Sequence, residues 1–229
     1  MRADGIIFDK DGTLFDFRAT WNVWAADTIA TLSAGDAALA AALARALHFD
    51  LDRASFRPSS PVIAGTLAEV TDLIAPLLPD RDPAALEAWL DDTAQGAPLA
   101  PAVPLDPFLT GLRAAGLRLG VMTNDSEAGA QAHLRSAGVT HLFDFIAGFD
   151  SGWGAKPDPA PLLAFATATA LAPARVVMVG DSTHDLIAGR RAGMQTVAVL
   201  TGMATLDDLS LHADAVLPDI GHLPAWLAI

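Results

Sequence analysis

Asp9 and Asp11 stand two residues apart in Asp9-Lys10-Asp11-Gly12-Thr13, where the short apolar run 5–9 ends. Alternation along an extended chain sends both carboxylates to one side and Lys10 to the other, away from any ligand. Two acids side by side are costly unless a cation neutralises them, so the pair predicts a metal. A solvated acidic turn is the alternative for this pentapeptide alone. Gly12 supplies the backbone freedom to turn the chain away. A second pair, Asp181 and Asp185, lies in Gly180-Asp181-Ser182-Thr183-His184-Asp185, spaced so that Asp185 folds back in a first helical turn. One hard ion can then be shared by both segments, and Mg2+ suits carboxylates, a carbonyl and waters. Alone, this second pair reads equally as helix capping.

Two further segments suit an anion. Thr123-Asn124 ends an apolar run before a helix whose first N–H groups would point at a bound phosphate, although the same residues are ordinary capping chemistry. Lys156 sits in Gly154-Ala155-Lys156-Pro157-Asp158-Pro159, where two prolines stiffen the chain around an isolated cation; a solvated lysine is the alternative. The chain has 14 Lys and Arg against 27 Asp and Glu, a formal charge of −13. An anionic substrate is therefore repelled at long range and must be captured by local cations, a metal or backbone N–H groups.

The elements that must position these residues are legible as short apolar runs ending in a polar residue: 5–9, 117–123 and 176–181, with 195–200 and the weaker 145–149 and 215–217 beside them. Helix patterns fall between them at 106–116, 126–137, 159–171 and 184–192, three of them closed by Gly116, Gly138 and Gly193. This alternation predicts an α/β fold, a doubly wound parallel sheet with helices on both faces. Residues 18–95 break the rhythm with four helical patterns, at 19–32, 36–47, 61–75 and 83–93, and no convincing strand. They predict an inserted α-helical cap domain on a core formed by residues 1–17 and 96–229. The proline-rich stretch 96–107 is the return linker.

Composition excludes several classes. With 52% apolar and 18% charged residues the chain is globular, and no apolar run is long enough for a membrane span. There is no basic cluster for a nucleic-acid backbone. The absence of cysteine removes disulfides, thiolate metal sites and a cysteine nucleophile. The chain reaches its first strand with no basic leader, so a cytoplasmic protein is expected. A monomer or homodimer acting on a small phosphorylated metabolite, with no nucleic-acid or membrane partner, is the expectation for partners.

In this order and at these strand ends, the four segments resemble the motifs of the haloacid dehalogenase superfamily of phosphohydrolases, whose core is Rossmann-like. Asp9 to Thr13 match its Asp-x-Asp-Gly-Thr motif, Thr123 its strand-terminal Thr or Ser, Lys156 its Lys before Pro, and Gly180 to Asp185 its Gly-Asp-x-x-x-Asp motif. The resemblance covers nearly the whole chain and points to the phosphoglycolate phosphatase and β-phosphoglucomutase branch. It implies that Asp9 is the nucleophile, forming an aspartyl phosphate, and that Asp11 is the general acid and base. It also implies that Asp9, Asp181, Asp185 and the Asp11 carbonyl hold Mg2+, and that Gly12, Thr13, Thr123, Asn124 and Lys156 bind the phosphoryl group. Dehalogenases lack the second acid and need no metal, and ion-pumping ATPases carry Thr there, so Asp11 favours phosphatase chemistry. Phosphoglycolate is the default substrate. A phosphomutase of the β-phosphoglucomutase type and a catalytically silent binding protein are the rivals.

The motifs handle only the phosphoryl group, so the leaving group must be read elsewhere. Arg18 near the hinge, Arg53 and Arg57 in the cap and Trp153 between two glycines are the candidates, each with a surface role as alternative. Trp21 and Trp24 are expected to pack in the cap core. His184 is expected to be exposed rather than a ligand.

Overall fold

The computed structural model describes residues 2–229. Among these the strands are β1 (Gly5–Phe8), β2 (Phe49–Asp50), β3 (Ser55–Phe56), β4 (Arg118–Met122), β5 (Phe145–Ala147), β6 (Val176–Gly180), β7 (Gln195–Val199) and β8 (Ala215–Leu217). All but β2 and β3 form one parallel sheet in the order β5-β4-β1-β6-β7-β8. The chain runs outward from β1 through β4 to β5, then returns to pair β6 on the other side of β1. That reversal opens a crevice at the carboxyl ends of β4, β1 and β6, where open α/β sheets bind ligands.

Both faces of the sheet are covered, which explains why the central strands read as mostly apolar runs. Side chains alternate: Ile6 and Phe8 join Leu119, Val121, Val177 and Val179 in one cluster. Ile7 joins Met122, Met178 and Phe165 in the other. Helix α5 (Leu105–Ala114) packs Leu105, Leu109 and Leu112 on the first face. Helices α7 (Ala160–Ala168) and α8 (Thr183–Arg191) cover the second with Leu162, Phe165 and Ala188. Helix α6 (Glu127–Ser136) is capped by Ser126, whose side chain accepts the Gly129 N–H.

The insert between β1 and β4 holds α1 (Val23–Ser33), α2 (Ala37–Ala46), α3 (Leu67–Ile74) and α4 (Pro83–Gln95), with an apolar cluster built on Trp21, Trp24, Ile29, Leu43, Leu86 and Leu90. Its two ends lie side by side. The Asp16 N–H donates to the Ala100 carbonyl and the Ala102 N–H to the Leu14 carbonyl, at 2.8 and 2.9 Å.

Three details of the insert differ from expectation. The helix expected from residue 19 opens as a π-turn, Arg18–Asn22. The helix expected over 61–75 is broken: a 3-10 turn, Pro61–Ile63, ends at Ala64 and Gly65, and α3 starts afresh from a Thr66/Glu69 capping box. Strands were not expected at all, yet β2 and β3 form a two-residue antiparallel hairpin. Its Phe49 and Phe56 rings meet edge to face at 5.1 Å. Two residues are too few to show a period of two. No helix among the described residues is long and apolar enough to cross a membrane.

Candidate active site

Asp9 follows β1 directly and is anchored by its N–H to the Val179 carbonyl at 2.8 Å, which sets it beside the end of β6. Asp181 follows β6. Asp185 lies in the first turn of α8, where it forms a capping box with Ser182. One oxygen from each of Asp9, Asp181 and Asp185 falls within 4.8 Å of the others, and all three residues are buried. Lys156 is buried with them: its Nζ lies 2.6 Å from Asp9 Oδ1 and 2.6 Å from Asp185 Oδ1.

A single ammonium against three enclosed carboxylates leaves an excess of negative charge, and the titration of the groups reflects it. Burial pushes Asp9 up to about 7, with Asp185 and Asp11 adding to the rise and Lys156 opposing it. Burial, then Asp9 and Asp185, raise Asp181 well above the ordinary carboxylate range. Burial disfavours the Lys156 charge, yet Asp185 and Asp9 outweigh it and raise its pKa. The donor set is all oxygen, compact and short of positive charge, so it fits a small hard divalent cation such as Mg2+.

Asp11 is not part of that triad. Its Oδ2 pairs with Lys10 at 3.0 Å, while its Oδ1 is buried with no hydrogen-bond partner. Asp9, Asp11, Thr123, Asn124, Lys156, Asp181 and Asp185 all line one cavity of about 60 Å³, closed over by Phe17 and by Trp21, Trp24, Val62 to Leu67 and Val70 of the insert. A wider cleft of about 890 Å³ shares Ala64, Gly65, Asn124, Lys156 and His184 with it and leads to the surface.

The remaining expected residues are placed differently from one another. Thr123 is buried, and its Oγ1 accepts the Asp125 N–H at 3.1 Å, which leaves its own proton for a ligand. Asn124 spends its amide on the protein. Its Oδ1 accepts the Lys156 N–H at 2.9 Å, and its Nδ2 donates to the Lys156 and Ala64 carbonyls at 3.0 and 2.9 Å. It orders the Lys156 loop and ties the insert to the core. Gly12 and Thr13 back Asp181. Gly12 has φ +78, its N–H already donates to the Phe15 carbonyl, and a Cβ there would stand 2.4 Å from Asp181 Oδ2. Thr13 Oγ1 donates to Asp181 Oδ1 at 3.4 Å.

Of the substrate-selecting candidates, Arg18 is exposed and donates through Nε to the Met203 sulfur, at the rim of the wider cleft. Arg53 and Arg57 are exposed and line neither cavity. Trp153 is 43% exposed and packs its ring against Phe145, 5.3 Å away on β5, not at the entrance. Trp21 and Trp24 belong to the insert's core and also wall the cavity, because the core and the cavity share that helix face. His184 is half-buried and lines both cavities.

Lys10 does not line the cavity, but it is wholly enclosed rather than solvated and forms an ion pair with Asp11. The strand ends at Phe8, so strict alternation no longer governs residue 10. Thr201 and Gly202 also belong to the site. Thr201 Oγ1 donates to the Gly12 carbonyl at 2.6 Å, and a Cβ on Gly202 would stand 1.6 Å from Asp181 Oδ2. A Thr-Gly pair just past an apolar run, as at the other three strand ends, was the available signal.

Residues 3–193 match the haloacid dehalogenase-like hydrolase family. The chain is 37% identical over 120 residues to a phosphoglycolate phosphatase of Rhodospirillum rubrum, covering 52% of this chain and 50% of that protein, so it spans about half the length of that relative. It is 31% identical over 220 residues to a phosphoglycolate phosphatase of Xylella fastidiosa, covering 93% and 87%. The structure of CbbY from Rhodobacter sphaeroides in complex with phosphate superposes over 99% of this chain and 100% of that one, with a TM-score of 0.73 at 20% identity, a likeness of fold. A family match over residues 3–193, together with a relative similar along nearly the whole chain, makes this protein a member of the haloacid dehalogenase-like hydrolases.

Proposed function

We propose that the protein is a Mg2+-dependent phosphatase that hydrolyses a small phosphorylated metabolite through an aspartyl phosphate on Asp9, with residues 18–95 acting as the cap. The observation that carries this reading is Asp11: a second acid beside the Asp9, Asp181 and Asp185 triad, with one buried oxygen free of partners in the same cavity. Asp9, Asp181 and Asp185, with the Asp11 carbonyl, would hold Mg2+, which would offset the charge of the phosphoryl group when bound.

Asp9 attacks phosphorus with a carboxylate oxygen, the bond from phosphorus to the leaving oxygen breaks, and Asp11 gives that oxygen its proton. Water then attacks the same phosphorus, Asp11 takes the water's proton, and the Asp9 to phosphorus bond breaks to release inorganic phosphate and restore both carboxyl groups. Lys156 Nζ and the Thr123 hydroxyl would bind the phosphoryl oxygens. Asn124 supports Lys156 in this scheme, and Gly12, Thr13 and Gly202 support Asp181.

The test is phosphate release from a broad panel of phosphorylated metabolites, with and without EDTA. Turnover that chelation leaves unchanged would overturn the metal requirement. Formation of an isomer from a sugar phosphate only when a bisphosphate primer is present would point to the mutase instead. Absence of turnover on every compound, acetyl phosphate included, would point to a binding protein.

Two expectations follow from the site's charges. Among the described residues lining the two cavities, Lys156 is the one Lys or Arg, whereas Glu69, Asp72 and Asp208 line the wider cleft. A second anionic group on the substrate meets no second Lys or Arg side chain there. Esters with an uncharged leaving group are therefore expected to exceed phosphoglycolate in kcat/KM by about tenfold or more. Equal or better use of phosphoglycolate in steady-state assays would show that Arg18 or the backbone supplies the missing partner.

Asp9 titrates higher in the fold than the 3.8 of an ordinary aspartate. The protonated carboxyl is thus favoured by folding, so this contribution is whole below about 3.8 and is lost as pH rises through about 7. A divalent cation competes with that proton. The melting temperature in Mg2+ minus that in EDTA is expected to be near zero at pH 5 and about 5 °C or more at pH 8. A difference that stays flat across this window would count against the triad as the metal site.

A further inference from the structure

Lys10 is a fully enclosed cation that the reaction above does not use. Its ammonium lies 3.0 Å from Asp11 Oδ2, 2.8 Å from Asp125 Oδ2 and 2.7 Å from His133 Nδ1. The ammonium hydrogen-bonds Asp125 and His133 and forms an ion pair with Asp11, so three groups share its charge. His133 Nε2 lies 2.9 Å from the Ala94 carbonyl. A carbonyl can only accept, so Nε2 carries the ring proton and Nδ1 is left to accept from Lys10. Burial, then the neighbouring ammonium, lower the His133 pKa, in keeping with a neutral ring. The Trp21 indole covers the ammonium, its centroid 5.4 Å away.

Two of the three groups are fixed independently of Lys10. Asp125 accepts the Ser126 N–H on its other oxygen at 2.8 Å, and His133 is held in α6 and by Ala94. Asp11 has no comparable restraint: Lys10 grips its Oδ2, and its Oδ1 has no partner. A carboxylate with one oxygen tied and the other free has a defined direction, which matters for an acid that must meet the leaving oxygen within about 3 Å.

We propose that Lys10 is a positioning residue for the acid and base step. Held in a cage with Asp125 and His133, it fixes Asp11 Oδ2 and so aims Asp11 Oδ1 at the leaving oxygen. This rests on the phosphatase reading of Asp11.

The test compares kcat/KM for two classes of ester in the wild type, Lys10→Met, Asp11→Asn and the double variant. One substrate is the best alkyl phosphate of the metabolite panel, whose leaving group needs a proton. The other is p-nitrophenyl phosphate, whose leaving group does not. Lys10→Met is expected to slow the alkyl ester on the order of 10²-fold and the aryl ester only about threefold, the same pattern as Asp11→Asn. The double variant is expected to be no slower than Asp11→Asn alone, because Lys10 acts through Asp11. Lys10→Gln, which keeps two N–H donors in the cage, should recover part of the alkyl ester activity. It carries the same cycle if Lys10→Met does not fold.

Equal loss on both esters would overturn the proposal and leave Lys10 a structural residue. So would losses that multiply in the double variant. If Asp11→Asn itself treats the two esters alike, the reading of Asp11 falls and takes this one with it. If Asp11→Asn discriminates and the Lys10 variants do not, only the role of Lys10 falls.

Discussion

Asp9→Asn is expected to abolish turnover, with kcat reduced on the order of 10⁴-fold or more and no phosphorylated protein recovered after an acid quench. An amide of the same shape keeps the packing at the end of β1 but is a poor nucleophile and a weaker metal ligand. It also removes one of the three enclosed carboxylates, so the fold should tolerate it well. Asp9 is buried against Asp185 and Asp11, and burial already favours its uncharged form. The variant is therefore expected to match or exceed the wild type in melting temperature when both are measured in EDTA at pH 8. The partner measurement is Asp11→Asn, which keeps the nucleophile. It should still accept a phosphoryl group from acetyl phosphate, whose leaving group needs little help, and then release it slowly. Turnover by Asp9→Asn at the wild-type rate, or label recovered on it as on the wild type, would remove Asp9 from the chemistry.

The contrast between Asp9 and Lys10 shows what a sequence makes legible. The sheet could be placed because its central strands are short, mostly apolar runs that end at polar residues, and because the turns between helices and strands carry Gly116, Gly138 and Gly193. Asp9, Asp181, Asp185 and Lys156 could be read as one constellation because the sheet brings successive strand ends together. What could not be read depends on contacts set only by packing. Lys10 turns inward because Asp125 and His133, both more than a hundred residues away, offer it acceptors. Asn124 looked like a phosphate donor, and its hydrogen bonds go instead to Lys156 and Ala64. Gly202 shows its constraint only against the Asp181 carboxylate. Trp153 sits beside Lys156 in sequence and still folds away onto Phe145, since proximity along a loop says nothing about direction.

Lys156→Met separates catalysis from stability in a way that the charge balance fixes. The side chain is replaced by one of similar length without its ammonium, so the cavity stays filled while two 2.6 Å ion pairs are lost. In catalysis the missing charge leaves Asp9 facing an anionic phosphoryl group with less compensation, and kcat/KM is expected to fall about 10³-fold. Arg should not rescue it, because a planar fork cannot replace a compact ammonium between Asp9 and Asp185.

For stability the sign can be worked out from the groups that remain. The Lys156 pKa is raised, so its contribution is whole below 10.5 and is lost only as pH climbs above that; it is constant between pH 5 and 8. Any pH dependence of the loss must therefore come from the acids. At pH 8 without metal, Asp9 and Asp185 would be left without their shared counter-ion, and the variant is expected to lose about 3 to 5 kcal/mol in denaturant unfolding. At pH 5 Asp9 can take up a proton, because burial raises its pKa and the loss of Lys156, which opposes that rise, raises it further, so the loss should be clearly smaller. Saturating Mg2+ at pH 8 should shrink it too, since the cation replaces the charge that was removed. A loss of stability equal at both pH values and indifferent to Mg2+ would mean that Lys156 packs the loop rather than balancing the carboxylates.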